Sequence, residues 1–343
     1  MPVEYDARYI EKNDHKAMAE TAALLAREGL QMDKHLEHTL GLYDQRGKLV
    51  ATGSVFANTL RCLAVDQALQ GEGLMAMLVT RLMEDLFLVG ISHVFVYTKP
   101  QTERMLVELG FYPIARVPGS LSFMENRRDG FNSYLEKLGG KAGAGTAGAI
   151  IMNANPFTRG HRYLAEQAAG QCDMLHLFIV SEDVSFFPFT VRKRLVMAGT
   201  EDIQNIVYHD TGSYLISRAV FPAYFLKEEE AVTQAQARLD AVIFARVAAQ
   251  LGITRRFVGE EPFSPATRLY NQAMGELLPA SGISLSVIPR MADAGGIPIS
   301  ATRVRKALAE GDHAALRLLL PDSSYDFVTS IEGQALVSKR LAT

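Results

Sequence analysis

The sequence has little of several residue types, and each shortage argues against a class of protein. Only two cysteines occur among 343 residues, so we expect no disulfide framework and a cytoplasmic protein. No run approaches about 18 apolar residues, and the first residues lack the apolar core of a signal peptide, so no membrane association is predicted. A net charge of -3 gives no electrostatic reason to expect nucleic acid as a partner.

Candidate metal ligands are also sparse. His35 and His38 have ligand-like spacing, but no further candidates cluster near them, so we predict no metal site built from side chains. The remaining composition, with 48% hydrophobic and 21% charged residues, is ordinary for a globular protein. The length predicts two domains.

A glycine- and alanine-rich stretch, LGGKAGAGTAG, marks the predicted boundary. It lacks apolar periodicity, which is typical of a flexible linker. We therefore predict a first domain at residues 1–138, a linker at 139–148 and a second domain at 149–343.

The linker also matches the dinucleotide-binding pattern G-x-G-x-x-G, at Gly143, Gly145 and Gly148. That pattern needs a strand before it and a helix after it. Here the strand-like run AIIM comes afterwards, so the linker interpretation is favoured.

The first domain mixes both kinds of element. Apolar periodicity predicts helices at 13–29, 72–89 and 101–109, and strands at 38–43, 48–57, 59–65, 92–98 and 111–116. The turn DQRGK places Gly47 between the first two strands, as a hairpin requires. This pattern predicts an α+β domain.

In the second domain, strands and helices alternate. The strands are predicted at AIIMN, MLHLFIVS, NIVYHD, RRFVG and ISLSVIP, with helices beginning near Arg159, Thr190, Glu228, Ser264 and Thr302. Alternation of this kind predicts a parallel sheet with helices on both faces. Ligands bind such sheets beyond the carboxyl ends of the strands.

The segment after the first of these strands, NANPFTRGH, has residue types suited to a phosphate. The N–H groups and dipole of a helix beginning near Arg159 favour an anion. Gly160 allows close approach of a ligand, His161 can donate to a phosphate oxygen, and the amides of Asn153 and Asn155 can contact ribose or phosphate. An ordinary capped helix start would look the same, so both interpretations stay open here.

A second helix start of this type stands near the end of the chain, in GIPISATRVRKAL. Ser300 and Thr302 can cap the helix, and Arg303 and Arg305 follow in its first turn. Two such sites in one parallel sheet indicate a clamp on one polyphosphate, although each alone also fits an ordinary helix start.

These two segments resemble the signatures of nucleotidyltransferases. The sequence T-x-G-H at Thr158 to His161 resembles H-x-G-H, with a threonine in place of the first histidine, and ISATRVR resembles the distal I-S-S-T-x-x-R motif. Longer stretches, MNANPFTRGHRYLAEQA, GSYLISRAVFPAYFLKE, GEEPFSPATRLYNQAM and ISATRVRKAL, are similar to the citrate lyase ligase family. The resemblance covers essentially the whole chain.

The first domain resembles acetyltransferases of the GNAT type. AVDQALQGEGLMAMLVTRLMEDL resembles their acyl-CoA-binding segment, with Gln70, Gly71 and Gly73 as the candidate pyrophosphate loop, and TERMLVELGFYPI resembles their later helix and strand. Met75 replaces the final small residue of that loop. Acyl transfer and docking alone both remain open for this domain.

The resemblance implies a GNAT-like α+β domain followed by a Rossmann-like nucleotidyltransferase α/β domain. It implies that ATP, with Mg²⁺ held mainly by the triphosphate, and acetate give acetyl-adenylate and pyrophosphate. The acetyl group then passes to the thiol of the phosphoribosyl-dephospho-CoA group on the citrate lyase acyl carrier, with release of AMP.

On this resemblance we expect His161 to contact the phosphates in the transition state, and Thr158 and Arg305 to hold the outgoing pyrophosphate. Nucleotide binding is predicted for Asn153, Asn155, Phe157, Gly160, Gly259, Ser300 and Thr302. Arg192 and Arg194 are candidates for triphosphate or carrier phosphates, with a salt-bridged surface role equally open.

Two alternatives remain at this point. One is a different adenylyltransferase, acting on a phosphopantetheine-type or nicotinamide-type nucleotide. The other is a catalytically silent nucleotide-binding module that senses acyl carriers.

Overall fold

The chain forms two compact units, which a computed structural model describes over residues 4–139, 145–217, 220–226, 228–261 and 264–342. The first unit contains Met1–Asn132 and Pro222–Ala235, and the second contains Ser133–Phe221 and Gln236–Thr343. The return of Pro222–Ala235 to the first unit differs from the division predicted from the sequence. Periodicity is a local signal, and it carries no information on which unit a later segment joins.

The predicted linker also differs from the observed boundary. The boundary between the units falls after Asn132, inside the helix α4 (Gly130–Gly139), and the first strand of the second unit begins at Ala147. Gly139, Ala147 and Gly148, all placed in the linker by the sequence, therefore belong to a helix or a strand. Gly148 lies inside that strand, whereas Gly143 lies outside the described residues. The position of Gly148 agrees with rejection of the dinucleotide pattern.

The first unit is an α+β structure, as predicted. Its elements are β1 (Asp6–Ile10), α1 (His15–Arg27), β2 (His38–Tyr43), β3 (Leu49–Phe56), β4 (Thr59–Val65), α2 (Leu74–Leu88), β5 (Phe95–Thr98), α3 (Pro100–Glu108), β6 (Tyr112–Val117) and β7 (Leu121–Glu125). The sheet order is β1-β2-β3-β4-β5-β7-β6, and all neighbours are antiparallel except β4 and β5. The predicted β2–β3 hairpin is confirmed, with Gly47 in the left-handed region at φ 74°.

The core of this unit forms between the sheet and α2. Leu74, Leu78, Leu82 and Leu86 recur every four residues and are all buried against it. Each such leucine contributes on the order of 2 kcal/mol by leaving water. Gly53 on β3 lies under this helix, where a Cβ would stand 2.8 Å from Leu63 and 2.9 Å from Leu82.

The second unit contains a parallel sheet whose strands alternate with helices, as predicted. Its further elements are β8 (Ala147–Met152), α5 (Arg159–Ala169), β9 (Met174–Ile179), α6 (Phe189–Ala198), β10 (Ile206–Asp210), α7 (Glu229–Leu251), β11 (Ile253–Gly259), α8 (Pro265–Leu277), β12 (Ser284–Ile288), α9 (Ala301–Glu310), α10 (His313–Leu319), α11 (Asp322–Thr329) and α12 (Ile331–Leu341). The order is β10-β9-β8-β11-β12, with every pair parallel. All five carboxyl ends therefore lie at one edge.

The sequence analysis missed several elements of both units. The strands β1 and β7 and the helices α4 and α10 to α12 had not been predicted. In β1 only Ile10 is buried, so no alternation is visible. None of the helices in the described part of the chain is both long and apolar enough to cross a membrane.

Candidate active site

The first candidate segment forms the turn between β8 and α5, at the carboxyl edge of the second sheet. Thr158 caps the helix: its hydroxyl accepts from the His161 N–H at 3.3 Å, and its own N–H donates to Nδ1 of His161 at 3.1 Å. A backbone N–H can only donate, so Nδ1 must be the acceptor. The neutral ring therefore carries its proton on Nε2.

The environment keeps this ring neutral. Burial, with the positive charge of Arg290 as the second cause, lowers the pKa of His161 to about 4. None of the hydrogen bonds in the described residues uses Nε2, because the side-chain bonds of His161 all involve Nδ1. The imidazole thus offers one neutral donor.

Thr158 and Phe157 have positions other than those predicted. Thr158 is 1% exposed and its hydroxyl is part of the helix cap, so it orients His161 and is turned away from solvent. Phe157 is fully buried in the core and lies parallel to the His161 ring, with 5.9 Å between ring centres. The predicted pyrophosphate contact for Thr158 and pocket-lining role for Phe157 are therefore corrected, because both side chains support the imidazole.

The two asparagines of the turn hold a neighbouring loop. The amide of Asn153 donates to the Ser185 hydroxyl at 3.1 Å, and Oδ1 of Asn155 accepts from the Phe187 N–H at 2.9 Å. Phe187 is fully buried. In this structure these amides thus order the loop before α6, and ribose or phosphate contact by them stays a prediction.

Arg192 is turned inward from α6 and is fully buried. Its guanidinium donates to the backbone carbonyls of Asn153 at 2.7 Å, Val180 at 2.8 Å, Glu182 at 2.5 Å and Phe187 at 3.0 Å. This corrects the predicted phosphate contact, because the side chain joins the loops that follow β8 and β9 and presents no open face. Burial lowers its pKa, but a guanidinium stays charged at neutral pH.

Arg194, on the opposite side of the same helix, is exposed and pairs with Glu332 at 2.8 Å. This is the surface salt bridge that the sequence had left open for it.

The two predicted motifs meet at the sheet edge. Arg305, in the first turns of α9, donates to the Asn155 carbonyl at 2.6 Å and to the Thr302 hydroxyl at 3.1 Å. Ser300 caps α9 by accepting from the Arg303 N–H at 3.3 Å. The helices α5 and α9 therefore begin beside each other, as the clamp hypothesis requires.

Gly160 shows how closely these motifs pack. A Cβ at this position would stand 3.2 Å from the Ile299 carbonyl oxygen and 3.7 Å from the Ile299 Cβ. The sequence predicts that the missing side chain allows a ligand to approach closely. In this structure it allows the backbone of the second motif, at Ile299, to approach closely.

Ala154 lies between two residues whose backbone carbonyls accept hydrogen bonds from arginine side chains. Its φ of 48° lies in the left-handed region, which is unfavourable for a residue with a Cβ. Arg192 binds the carbonyl of the preceding residue, Asn153, and Arg305 binds that of the following residue, Asn155. These bonds oppose relaxation of the strained turn.

Arg290, two residues beyond β12, was missed by the sequence analysis. Its Nε donates to the Glu260 carbonyl at 2.9 Å and its Nη2 pairs with Glu261 at 2.5 Å. It is partly exposed, and its charge acts on His161. Position after a strand of a parallel sheet was the signal that could have identified it.

The remaining predicted residues lie at the ends of elements, in both units. Gly259 ends β11, and none of the residues that the structure describes lies within 4 Å of a Cβ built there beyond its chain neighbours, so this position leaves space at the edge. In the first unit, Gln70, Gly71 and Gly73 are exposed before α2, and the Gln70 amide donates to Glu28 at 3.2 Å. Both glycines have positive φ, of 94° and 81°. Binding by these residues stays a prediction.

Comparison with known proteins identifies the family. Residues 147–328 match the family described as citrate lyase ligase C-terminal domain. The citrate (pro-3S)-lyase ligase of Escherichia coli strain K12 is 39% identical over 94% of this chain and 93% of its own, and that of Klebsiella pneumoniae is 42% identical over 84% and 85%.

Among solved structures, an acyl-CoA N-acyltransferase from Pseudomonas aeruginosa is 14% identical with a TM-score of 0.31, covering 36% of this chain and 100% of its own. Escherichia coli ElaA is 12% identical with a TM-score of 0.31, covering 36% and 99%. The family match covers more than half of the chain, and the two sequence relatives cover 94% and 84% of it. The chain belongs to the citrate lyase ligase family.

Proposed function

We propose that this protein activates acetate with ATP and transfers the acetyl group to the prosthetic-group thiol of the citrate lyase acyl carrier. The relatives are named for ligation of citrate (pro-3S)-lyase, which supports that partner. The observation that carries the adenylation step is the contact between the two motifs, in which Arg305 binds the Asn155 carbonyl at 2.6 Å. It brings two helix N-termini to one edge, where their dipoles favour a polyphosphate.

In the first step, an acetate oxygen forms a bond to the α-phosphorus of ATP. The bond from this phosphorus to the oxygen bridging to the β-phosphorus breaks, and pyrophosphate leaves with both electrons. The protein supplies no nucleophile in this step, so it accelerates the reaction by holding the reactants in line and stabilising the developing charge.

The residues of the edge divide this work. His161 is a neutral donor through Nε2, suited to an oxygen of the α- or β-phosphate. Arg305, held by Asn155 and Thr302, and Arg290, held by Glu260 and Glu261, bring two cations to the same edge. We assign the outgoing pyrophosphate to Arg305, with Arg290 as a second cation for it.

In the second step, the sulfur of the carrier thiol attacks the acetyl carbon of acetyl-adenylate. The bond between this carbon and the phosphate oxygen breaks, AMP leaves, and the thiol proton passes to solvent. Mg²⁺ would neutralise triphosphate charge, held mainly by the phosphate oxygens.

The test is release of pyrophosphate from ATP by the purified protein, with and without acetate and before any carrier is added. We expect acetate-dependent release, reduced about 100-fold or more in His161→Ala, because loss of one transition-state donor costs about that much. His313→Ala is the matched control, since this histidine is exposed at the start of α10.

Other outcomes separate the alternatives. Release with phosphopantetheine or nicotinamide mononucleotide instead of acetate, giving a dinucleotide, would replace this proposal with another adenylyltransferase. Binding of ATP with no release under any condition would indicate a nucleotide-binding module.

A further inference from the structure

The parallel strands β4 and β5 of the first unit pair over a short length and then separate. Their register includes only Thr59 with Phe95 and Leu60 with Val96. Immediately afterwards, β4 has a bulge against β3, and Cys62 adopts a left-handed φ of 52°. A bulge of this kind bends a strand, so the backbone groups beyond Leu60 and Val96 face a gap between the two strands.

A later segment of the chain closes this gap. We call Pro222–Leu226 the strap; it belongs to the first unit. The Tyr224 hydroxyl donates to the Tyr97 carbonyl on β5 at 3.0 Å and accepts from the backbone N–H of Cys62 on β4. The Tyr224 carbonyl in turn accepts from the Gln31 N–H at 2.6 Å.

Tyr224 is well suited to this position. The side chain is only 6% exposed, so the hydroxyl is withdrawn from water along with the backbone groups that it binds. Burial is also the main cause that raises its pKa, which keeps the phenol protonated and able to donate. One hydroxyl thereby satisfies one acceptor and one donor left over by the separated strands.

We propose that Tyr224 is an internal occupant of the β4–β5 gap and that the strap excludes extended amide-bearing chains from it. Unpaired N–H and C=O groups of separated strands bind an extended chain by adding it as a further strand. The arm of acyl-CoA carries two amides and is such a chain. With Tyr224 in place the backbone groups are already used, so this unit does not take a thioester between β4 and β5.

The chemistry of the gap agrees with exclusion. The thiol nearest to it, Cys62, is fully buried, and burial raises its pKa to about 12. A thiol with this pKa is protonated at neutral pH and is not a nucleophile. Of the two roles left open by the sequence, the strap favours docking over acyl transfer in this unit, independently of the adenylation chemistry proposed for the second unit.

The test uses the full-length protein in three variants: Tyr224→Phe, Tyr224→Ala and, as the matched control, Tyr43→Phe, which removes the hydroxyl of a buried tyrosine in a different core cluster of the same unit. Hydrogen exchange at the Cys62 amide should accelerate about tenfold in Tyr224→Phe and remain unchanged in Tyr43→Phe, because one buried hydrogen bond is lost. Calorimetric titration with acetyl-CoA should show binding at least about tenfold tighter in Tyr224→Ala than in the wild type.

Unchanged exchange at Cys62 in Tyr224→Phe would overturn the proposal. So would equal affinity for acetyl-CoA, or equal absence of binding, in the wild type and in folded Tyr224→Ala. If Tyr224→Ala does not fold, the exchange experiment on Tyr224→Phe decides alone.

Discussion

The two sheets both leave backbone groups that strand pairing does not use, and the chain satisfies them in opposite ways. In the first unit, one donor and one acceptor face the gap between β4 and β5, and the Tyr224 hydroxyl binds both. In the second unit, the loops beyond the strands present carbonyls to Arg192 and Arg305. The first arrangement closes a gap between strands, whereas the second holds together the loops at the carboxyl edge of the sheet.

The difference lies in what remains after the backbone is satisfied. Because the Tyr224 hydroxyl both donates and accepts, it leaves neither the backbone acceptor nor the backbone donor of the gap available to a ligand. Arginine side chains only donate, so they consume carbonyls and leave the helix N-termini and the His161 Nε2 for a ligand. An edge whose acceptors are already bound, and whose remaining groups are donors and cations, is suited to an anion such as a triphosphate.

The largest expected effect is a loss of stability when the carbonyls at the carboxyl edge of the second sheet lose the Arg192 guanidinium that donates to them. Arg192→Met keeps an apolar stem but leaves four buried or partly buried backbone carbonyls without the guanidinium, so we expect the free energy of unfolding to fall by about 4 kcal/mol. Urea denaturation measures this directly.

The control for that experiment is Arg194→Met, two residues along the same helix. Arg194 is exposed and makes a surface ion pair, so its loss should cost less than about 1 kcal/mol. Equal stability of the two variants would contradict the view that the edge depends on a buried arginine.

A smaller effect is expected where the two motifs of the edge touch. In Gly160→Ala, the new methyl group would meet the Ile299 carbonyl at 3.2 Å, and backbone cannot yield as a flexible side chain can. Separation of α5 from α9 by a few tenths of an ångström should slow acetate-dependent pyrophosphate release about tenfold, because catalysis depends on this geometry.

Gly275→Ala is the matched control, since Gly275 lies inside α8 with its nearest neighbour, Leu285, at an ordinary 3.6 Å from the new Cβ. Alanine in a helix interior should stabilise by up to about 1 kcal/mol and leave the rate unchanged. A normal rate in Gly160→Ala would show that the contact between motifs does not govern catalysis.

The sequence predicts most of the fold because its signals are local. Alternating strands and helices specify a parallel sheet, and a parallel sheet gathers the carboxyl ends of its strands, so the meeting of T-x-G-H with ISATRVR could be foreseen. The hairpin at Gly47 is equally local.

The direction of individual side chains could not be foreseen. Arg192 and Arg194 are two residues apart at the start of one helix, yet one is buried against carbonyls and the other is exposed. The helical period places them on different faces, but which face is buried depends on tertiary packing. Thr158 could equally face a phosphate or cap a helix, and the return of Tyr224 to the first unit leaves no local signature.

The smallest expected effect concerns pH, and it tests whether His161 is the neutral donor that distinguishes the second edge. Its pKa of about 4 in the folded protein lies below the usual value of about 6.5 in an unfolded chain, so the folded state binds fewer protons between these values. The stability that its neutral ring contributes is complete above pH 6.5 and is lost as the pH falls through 4.

Between pH 5.5 and 8 the ring should stay uncharged, so kcat/KM for ATP should change by less than about twofold through ionisation of His161, because this ratio reports the free enzyme. A fall in kcat/KM with a midpoint near 6.5, accompanied by titration of the His161 ring protons in nuclear magnetic resonance spectra, would mean that the imidazole is solvated and charged. In that case the edge of the second sheet would not contain the neutral donor that distinguishes it from the β4–β5 gap of the first unit.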